Sequence, residues 1–305
     1  MIRFDTAASA EIPQLVLVSP TMSQQDEDVI KRWGTSAPYW EKHRDVIREM
    51  FAPITQALLQ DAEVASGNTI LDVATGPGEP ALGIAAAVGP AGKVYGIDPV
   101  PGMVTAAQRE AERVGVKNAA FEVAGADKLP FPADTFDAAV CRFGVMFFPS
   151  PVNGIREMLR VLKPEKKMAL AVWHFADNNP FHYELARVVD RYVEPTPLPP
   201  DAPDAFRFAT WGKLVGILAE AGATDPAERL LKFSITVPGS VEDFWTLRCD
   251  MSDKFREKLQ SLSARERHQL KTEAIEAFQS YSSVHGLSFP AEVLIVTGRK
   301  GASHA

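Results

Sequence analysis

The chain has 305 residues, 46% of them hydrophobic and 23% charged, and a formal net charge of −7, a make-up that excludes a disordered polyelectrolyte and fits a folded domain with an added lobe. The acidic balance leaves no basic footprint for nucleic acid and no attraction to an anionic membrane surface. Cys141 and Cys249 are the two cysteines, too far apart for metal-ligand spacing or a disulfide framework, so a reducing cytoplasm is the expected setting, and no apolar run approaches the roughly 18 residues that span a bilayer.

Residues 1–25 read as an N-terminal extension with little structure. The apolar stretch at 12–18 is interrupted by Pro13 and Gln14 and lacks a basic flank and a cleavage site, so it is not a signal peptide. Residues 26–65 are expected to form N-terminal helices or a lid carrying Trp33, Tyr39 and Trp40. From 66 to 175, short β-branched runs alternate with helical stretches, the pattern of a parallel sheet wrapped by helices. Strands are expected at 69–73, 93–97, 120–123, 136–141 and 168–173, and helices at 80–88, 103–114 and 153–162, the last ended by Pro164.

Beyond Trp173 the pattern changes. Six prolines between 174 and 210 predict a loop or lid broken by one helix near 182–193. A helix at 211–221 stops at Gly222. The stretches 230–237 and 291–299 alternate like two strands of an antiparallel finish, with helices inserted between them over 241–281. Residues 176–300 are thus expected to complete the sheet and shape a pocket.

The most informative segment is Leu71-Asp72-Val73-Ala74-Thr75-Gly76-Pro77-Gly78-Glu79-Pro80, at a strand end opening into a helix, where such sheets bind ligands. Gly76 and Gly78 permit positive φ and let a ligand approach the backbone. With Ala81 they also satisfy the dinucleotide pattern G-x-G-x-x-A. Asp72, four residues before Gly76, can receive a ligand's ammonium group directly or through water, and is poorly placed beside a pyrophosphate. Asp98 closes the second strand 20 residues after Gly78, where a carboxylate accepts both hydroxyls of a ribose. Capping of the helix that follows Pro101 is the plainer role for it.

Five motifs occur in order: Asp72 with Gly76 and Gly78; Gly96-Ile97-Asp98 with Met103; Leu129-Pro130-Phe131; Phe136-Asp137; and Arg160-Val161-Leu162-Lys163-Pro164. Over residues 30–175 the sequence resembles the class I S-adenosylmethionine-dependent methyltransferases, especially the group similar to ubiquinone/menaquinone-biosynthesis C-methyltransferases. The resemblance implies a Rossmann-like α/β fold: a seven-stranded, mostly parallel sheet with an antiparallel last strand and helices on both faces. It implies S-adenosylmethionine as cofactor, with Gly76 and Gly78 under its methionine part and Asp98 on its ribose. Ala74, Pro99, Met103, Cys141 and Arg142 complete the expected cofactor site. The family commonly has Asp or Asn four residues before the Leu of L-P-F; here Gly125 stands there, leaving the adenine contact to Asp127 or to the backbone of Ala126. A glycine pair usual after Lys163-Pro164 is replaced by Glu165-Lys166-Lys167, a change confined to a surface turn.

Walls for an acceptor are expected from Trp33, Tyr39 and Trp40, from Arg142, Phe143, Met146 and Phe147 after the fourth strand, and from Trp173, His174 and Phe175 after the fifth. For Met146 and Phe147, ordinary packing is at least as natural. His174 is the first candidate for a general base, with Tyr39 and His43 behind it, and a hydrogen-bonded structural histidine is the plainer reading. In-line methyl transfer needs chiefly alignment and exclusion of water, and no metal or covalent nucleophile. The expected function is methylation of a small, apolar or aromatic molecule, with no nucleic acid partner and no stable membrane insertion. An NAD(P)-dependent oxidoreductase and a non-methylating cofactor-binding module are the alternatives.

Overall fold

The computed structural model describes residues 24–195 and 197–302, with side chains from residue 27 onward; the expectation of little structure over residues 1–25 lies outside them except at Gln24 and Gln25, which open the first helix instead. Three helices come first: α1 (Gln24–Lys42), α2 (Arg44–Met50) and α3 (Ala52–Asp61). The sheet then builds through β1 (Thr69–Val73), α4 (Ala81–Val88), β2 (Lys93–Asp98), α5 (Pro101–Val114), β3 (Ala119–Val123), β4 (Phe136–Arg142), α6 (Pro151–Val161) and β5 (Leu162–Trp173). The chain continues through α7 (Pro180–Val189), α8 (Lys213–Glu220), β6 (Thr224–Val237), α9 (Val241–Met251), α10 (Asp253–Ser261), α11 (Ala264–Gln279), the two-residue β7 (Ser282–Ser283) and β8 (Gly286–Arg299).

The strand order is β3-β2-β1-β4-β5-β8-β6, with β7 appended to β8. The first five strands run parallel, and β8 is antiparallel to both β5 and β6. This is the Rossmann-like sheet that the motifs imply. Helices cover both faces, so the central strands are buried on both sides and apolar along their length: Met168 to Val172 in β5 are 0% exposed. The edge strand β6 keeps a largely alternating exposure, because one face meets water, and β3 buries only Phe121 of its five residues.

The helix expected at 153–162 spans Pro151–Val161. Pro164 does not end it: Leu162 already pairs with Phe136, and the pairing then jumps to Lys167 with Ala138. Residues 163–166 bulge there, with Glu165 at φ 62°, so the Glu165-Lys166-Lys167 replacement falls in and beside a bulge. No helix separates β3 from β4, where residues 124–135 form turns. The insertion between β6 and β8 is helical as expected, and capping boxes start α9 (Ser240 with Asp243) and α11 (Ser263 with Glu266). Among the described residues no helix is long and apolar enough to cross a membrane.

Candidate functional site

β1 pairs with β2 on one side and β4 on the other, so the strand order reverses at β1, and in such sheets a reversal forms the ligand crevice beyond the carboxyl ends of the strands. The glycine loop lies there. Asp72, fully buried at the end of β1, accepts hydrogen bonds at Oδ2 from the Thr75 hydroxyl (2.7 Å) and the Ala81 amide (3.1 Å). It thereby ties the loop to the N-terminus of α4. Its Oδ1 is buried with no partner. Burial pushes its carboxyl up to about 7, against the Thr75 bond and the charge of Arg142.

Asp98 accepts the Gly76 amide at Oδ2 (3.0 Å) and the Val100 amide at Oδ1 (2.9 Å). Burial raises its pKa to about 6, opposed by these two bonds. The helix-capping role does not hold: Val100 is itself the N-cap residue of α5 and has no side-chain cap. Each carboxylate oxygen keeps lone-pair capacity for a hydroxyl. Gly76 has φ 56° and a Cβ there would meet nothing within 4 Å, so its outer face is open. At Gly78 (φ 105°) a Cβ would come within 3.3 Å of Ala107 and 3.1 Å of Leu82, so this glycine allows the loop to pack on α5. An orphaned buried oxygen at Asp72, open space over Gly76 and a carboxylate at the end of β2 fit a ligand bearing an ammonium group and a ribose.

The other expected cofactor residues fall into three settings. Ala74 holds φ 60° beside the loop, Pro99 is half-buried next to Asp98, and Met103 is buried with Val100 and Ala37 under Trp33 and Trp40. At Gly125 a Cβ would lie 2.6 Å from Asp127 Oδ1, so the Asp127 carboxylate occupies the space a side chain at 125 would enter. Ala126 is half-buried beside it. Cys141 and Arg142 act from beneath. The Cys141 thiol is buried and pushed up to about 12 by burial. The Arg142 guanidinium donates to the Thr55 hydroxyl and the Glu79 carbonyl, both at 3.0 Å, and so holds the glycine loop to α3.

The expected acceptor walls divide. Trp33 packs edge-on against Trp40 (5.6 Å) and Phe147 (5.2 Å), closing α1 over α5 and the turn after β4. Phe143 stacks on Trp173 at 4.4 Å, with Phe51 edge-on to both. The turn carrying Phe143 touches the glycine loop, since a Cβ on Gly144 would lie 2.4 Å from that of Ala74. Met146 is 1% exposed and belongs to the core. Tyr39 is turned away from Trp33 and Trp40: Arg256 covers its ring at 4.4 Å, in a groove between α1 and α10. His43 Nε2 donates to the Asp250 carboxylate at 2.8 Å and joins the start of α2 to α9.

His174 lies apart from the Phe143–Trp173 stack. Its ring contacts Phe175 and Trp211, and Nδ1 sits 2.9 Å from Glu292 Oε2, which also accepts from Asn178, while Lys232 pairs with Oε1 of the same carboxylate. Successive residues leaving a strand point to opposite faces, which separates His174 from Trp173. Against Trp173 lies instead His182, edge-on at 4.5 Å, a residue not anticipated from the sequence. Arg248, Phe51 and Thr55 were equally unmarked. Arg248 carries a signal in retrospect, as a lone cation on the apolar face of α9, four residues after Phe244.

Residues 70–165 match the family model described as a methyltransferase domain. The chain is 32% identical over 139 residues to the uncharacterized methyltransferase YcgJ of Bacillus subtilis, covering 46% of this chain and 53% of that protein. It is 31% identical over 172 residues to the ubiquinone/menaquinone biosynthesis C-methyltransferase UbiE of Ectopseudomonas mendocina, covering 56% and 66%. The chain spans about half the length of the first curated relatives it matches. The crystal structure of YcgJ superposes with a TM-score of 0.53 at 21% identity, over 82% of this chain and 98% of that one, a likeness of fold. Residues 70–165 are therefore a methyltransferase domain, in a chain whose fold and sequence are similar to the class I, Rossmann-like, S-adenosylmethionine-dependent kind.

Proposed function

We propose that the whole protein transfers the methyl group of S-adenosylmethionine to a small acceptor with apolar or aromatic character. One observation carries this reading: the latch of Gly76 on Asp98, with open space over Gly76, borders the turn that presents Phe143 and its partner Trp173. Asp72 and Asp98 would receive the ammonium group and the ribose, Asp127 the adenine, and Ala74, Pro99 and Met103 would line the same cleft. The cofactor supplies an already activated methyl electrophile. What remains for the chain is to orient the acceptor and exclude water, which can lower a barrier by several kcal/mol, about 7 or more in well-oriented systems. Rings at Trp33, Phe147, Phe51, Phe143 and Trp173 support both tasks.

Arg142 and Cys141 we assign to supporting the loop from below, and His174 to holding the turn after β5 through Glu292. The UbiE relative carries quinone biosynthesis in its name, which agrees with a ring-bearing acceptor. A nicotinamide reading finds less support, because the buried Asp72 would face a pyrophosphate. Free exchange with a soluble acceptor pool in the cytoplasm accords with the two unpaired cysteines.

Calorimetric titration with S-adenosylhomocysteine, and separately with NADH, tests the proposal. Saturable binding of S-adenosylhomocysteine is expected, weakened about 10- to 100-fold in Asp98→Ala, the worth of charge-assisted hydrogen bonds to a ribose. NADH binding without S-adenosylhomocysteine binding would overturn it.

A further inference from the structure

Arg248 projects from the face of α9 that also buries Val241, Phe244, Trp245 and Leu247. The residue is 7% exposed, and its Nε is buried with no hydrogen-bond partner. No carboxylate among the described residues supports its charge, and burial drags its pKa down to about 10. What it does contact is the ring of Phe181, with Cζ 4.2 Å from the centroid. A desolvated cation–π contact is worth less than the burial of an ion costs, even after relaxation. The contact therefore offsets only part of the cost, and the site holds a cation without its anion.

The next residue on α7, His182, repeats the pattern. Its Nε2 is buried and unpartnered, and burial together with the Arg248 charge holds the imidazole well below its usual pKa, neutral at physiological pH. Its ring meets Phe206 at 5.4 Å and Trp173 at 4.5 Å, and Trp173 in turn stacks on Phe143. An unbroken row of rings thus leads from the carboxyl ends of β4 and β5 to Arg248. The near end is apolar and its turn abuts the glycine loop; the far end offers unused polar atoms.

We propose that Arg248 receives an anionic oxygen of the methyl acceptor, a carboxylate or an ionised hydroxyl, while the acceptor's ring system lies along Trp173, His182 and Phe206. An anion there supplies the missing counter-charge, and the planar guanidinium suits a two-oxygen acceptor. A neutral isostere would leave the guanidinium unpaired. The inference rests on the methyltransferase reading only in naming the ligand as the acceptor.

The test uses the full chain saturated with S-adenosylhomocysteine and titrated with 2-naphthoate, 4-nitrophenolate and the neutral 2-naphthamide. Binding of at least one anion is expected, at least tenfold tighter than 2-naphthamide, and lost tenfold or more in Arg248→Met. Preference for 2-naphthoate would identify a carboxylate, and preference for 4-nitrophenolate an ionised hydroxyl. Arg248→Met should also unfold at a higher temperature than the parent, because an unpaired buried cation is replaced by an apolar chain. Equal binding of amide and anions, no anion binding at all, or unchanged affinity in Arg248→Met would overturn the inference. A loss of stability in Arg248→Met would do the same, by showing that the arginine is structural. Failure of the methyltransferase reading is seen separately, as absent S-adenosylhomocysteine binding in the parent protein.

Discussion

At the scale of single residues, the histidines illustrate how one side chain's partners set its chemistry. His174 leaves β5 at the strand end and was the natural choice for a base, yet its Nδ1 is held by Glu292, and its ring sits with Phe175 and Trp211. Replacing it removes a hydrogen bond to a carboxylate worth about 1.5–3 kcal/mol. His174→Ala is thus expected to lower the unfolding free energy measured in urea by that order while leaving the shape of the pH–rate profile intact. Disappearance of one limb of the profile would return the proton-accepting role to His174. Asp72 and Asp98 could be picked out from spacing alone, since a carboxylate at the end of a strand beside a glycine loop has few other uses. His182 could not, because its meaning comes from Trp173 and Arg248, which are distant in sequence.

The glycine loop is the clearest case at the scale of an element. Its two glycines serve different ends, and substitution separates them. Gly76→Ala adds a methyl group with nothing within 4 Å, so the fold loses only about 1–2 kcal/mol for the left-handed backbone, while affinity for S-adenosylhomocysteine falls steeply. Gly78→Ala strains the backbone at φ 105° and presses on Leu82 and Ala107, so stability falls by more, about 2–4 kcal/mol. Thermal melts and calorimetry on both variants check this; equal effects on stability would mean that the loop is not packed as described. Most elements were legible from period and punctuation. Where β5 begins was not, because pairing of Leu162 with Phe136 overrides the proline two residues later. Likewise α1 shows three aromatic residues in its sequence, but only packing on α5 decides that Trp33 and Trp40 turn inward while Tyr39 meets Arg256.

Across the whole molecule, burying Asp72 and Asp98 couples the proposed cofactor site to stability. Both carboxyls are raised, to about 7 and about 6, from the ordinary 3.8 of an aspartate. The folded protein therefore holds these protons more tightly than the unfolded chain does. Their contribution is complete below about pH 4 and is lost as the pH rises through 6 and 7, amounting to a few kcal/mol at about 1.4 kcal/mol per unit. His182, shifted downward, acts in the opposite sense below 6.5. Urea titrations from pH 5 to 8 on the parent, Asp72→Asn and Asp98→Asn isolate the carboxylates. Each variant is expected to show a flatter decline toward alkaline pH than the parent, and parallel curves would contradict the burial assigned to these groups.

The sequence by itself determined the order of strands and helices, the glycine loop, the acid at the end of β2 and the insertion between β6 and β8. Those features rest on interactions within a few residues: side-chain alternation, helical repeat, and the backbone freedom of glycine. Only the tertiary structure decided which aromatic rings pack together, that Glu292 holds His174 across 118 positions, and that Arg248 meets Phe181 without a counter-ion. Such outcomes depend on which faces pack together and how completely water is excluded, and no local pattern in the chain encodes either.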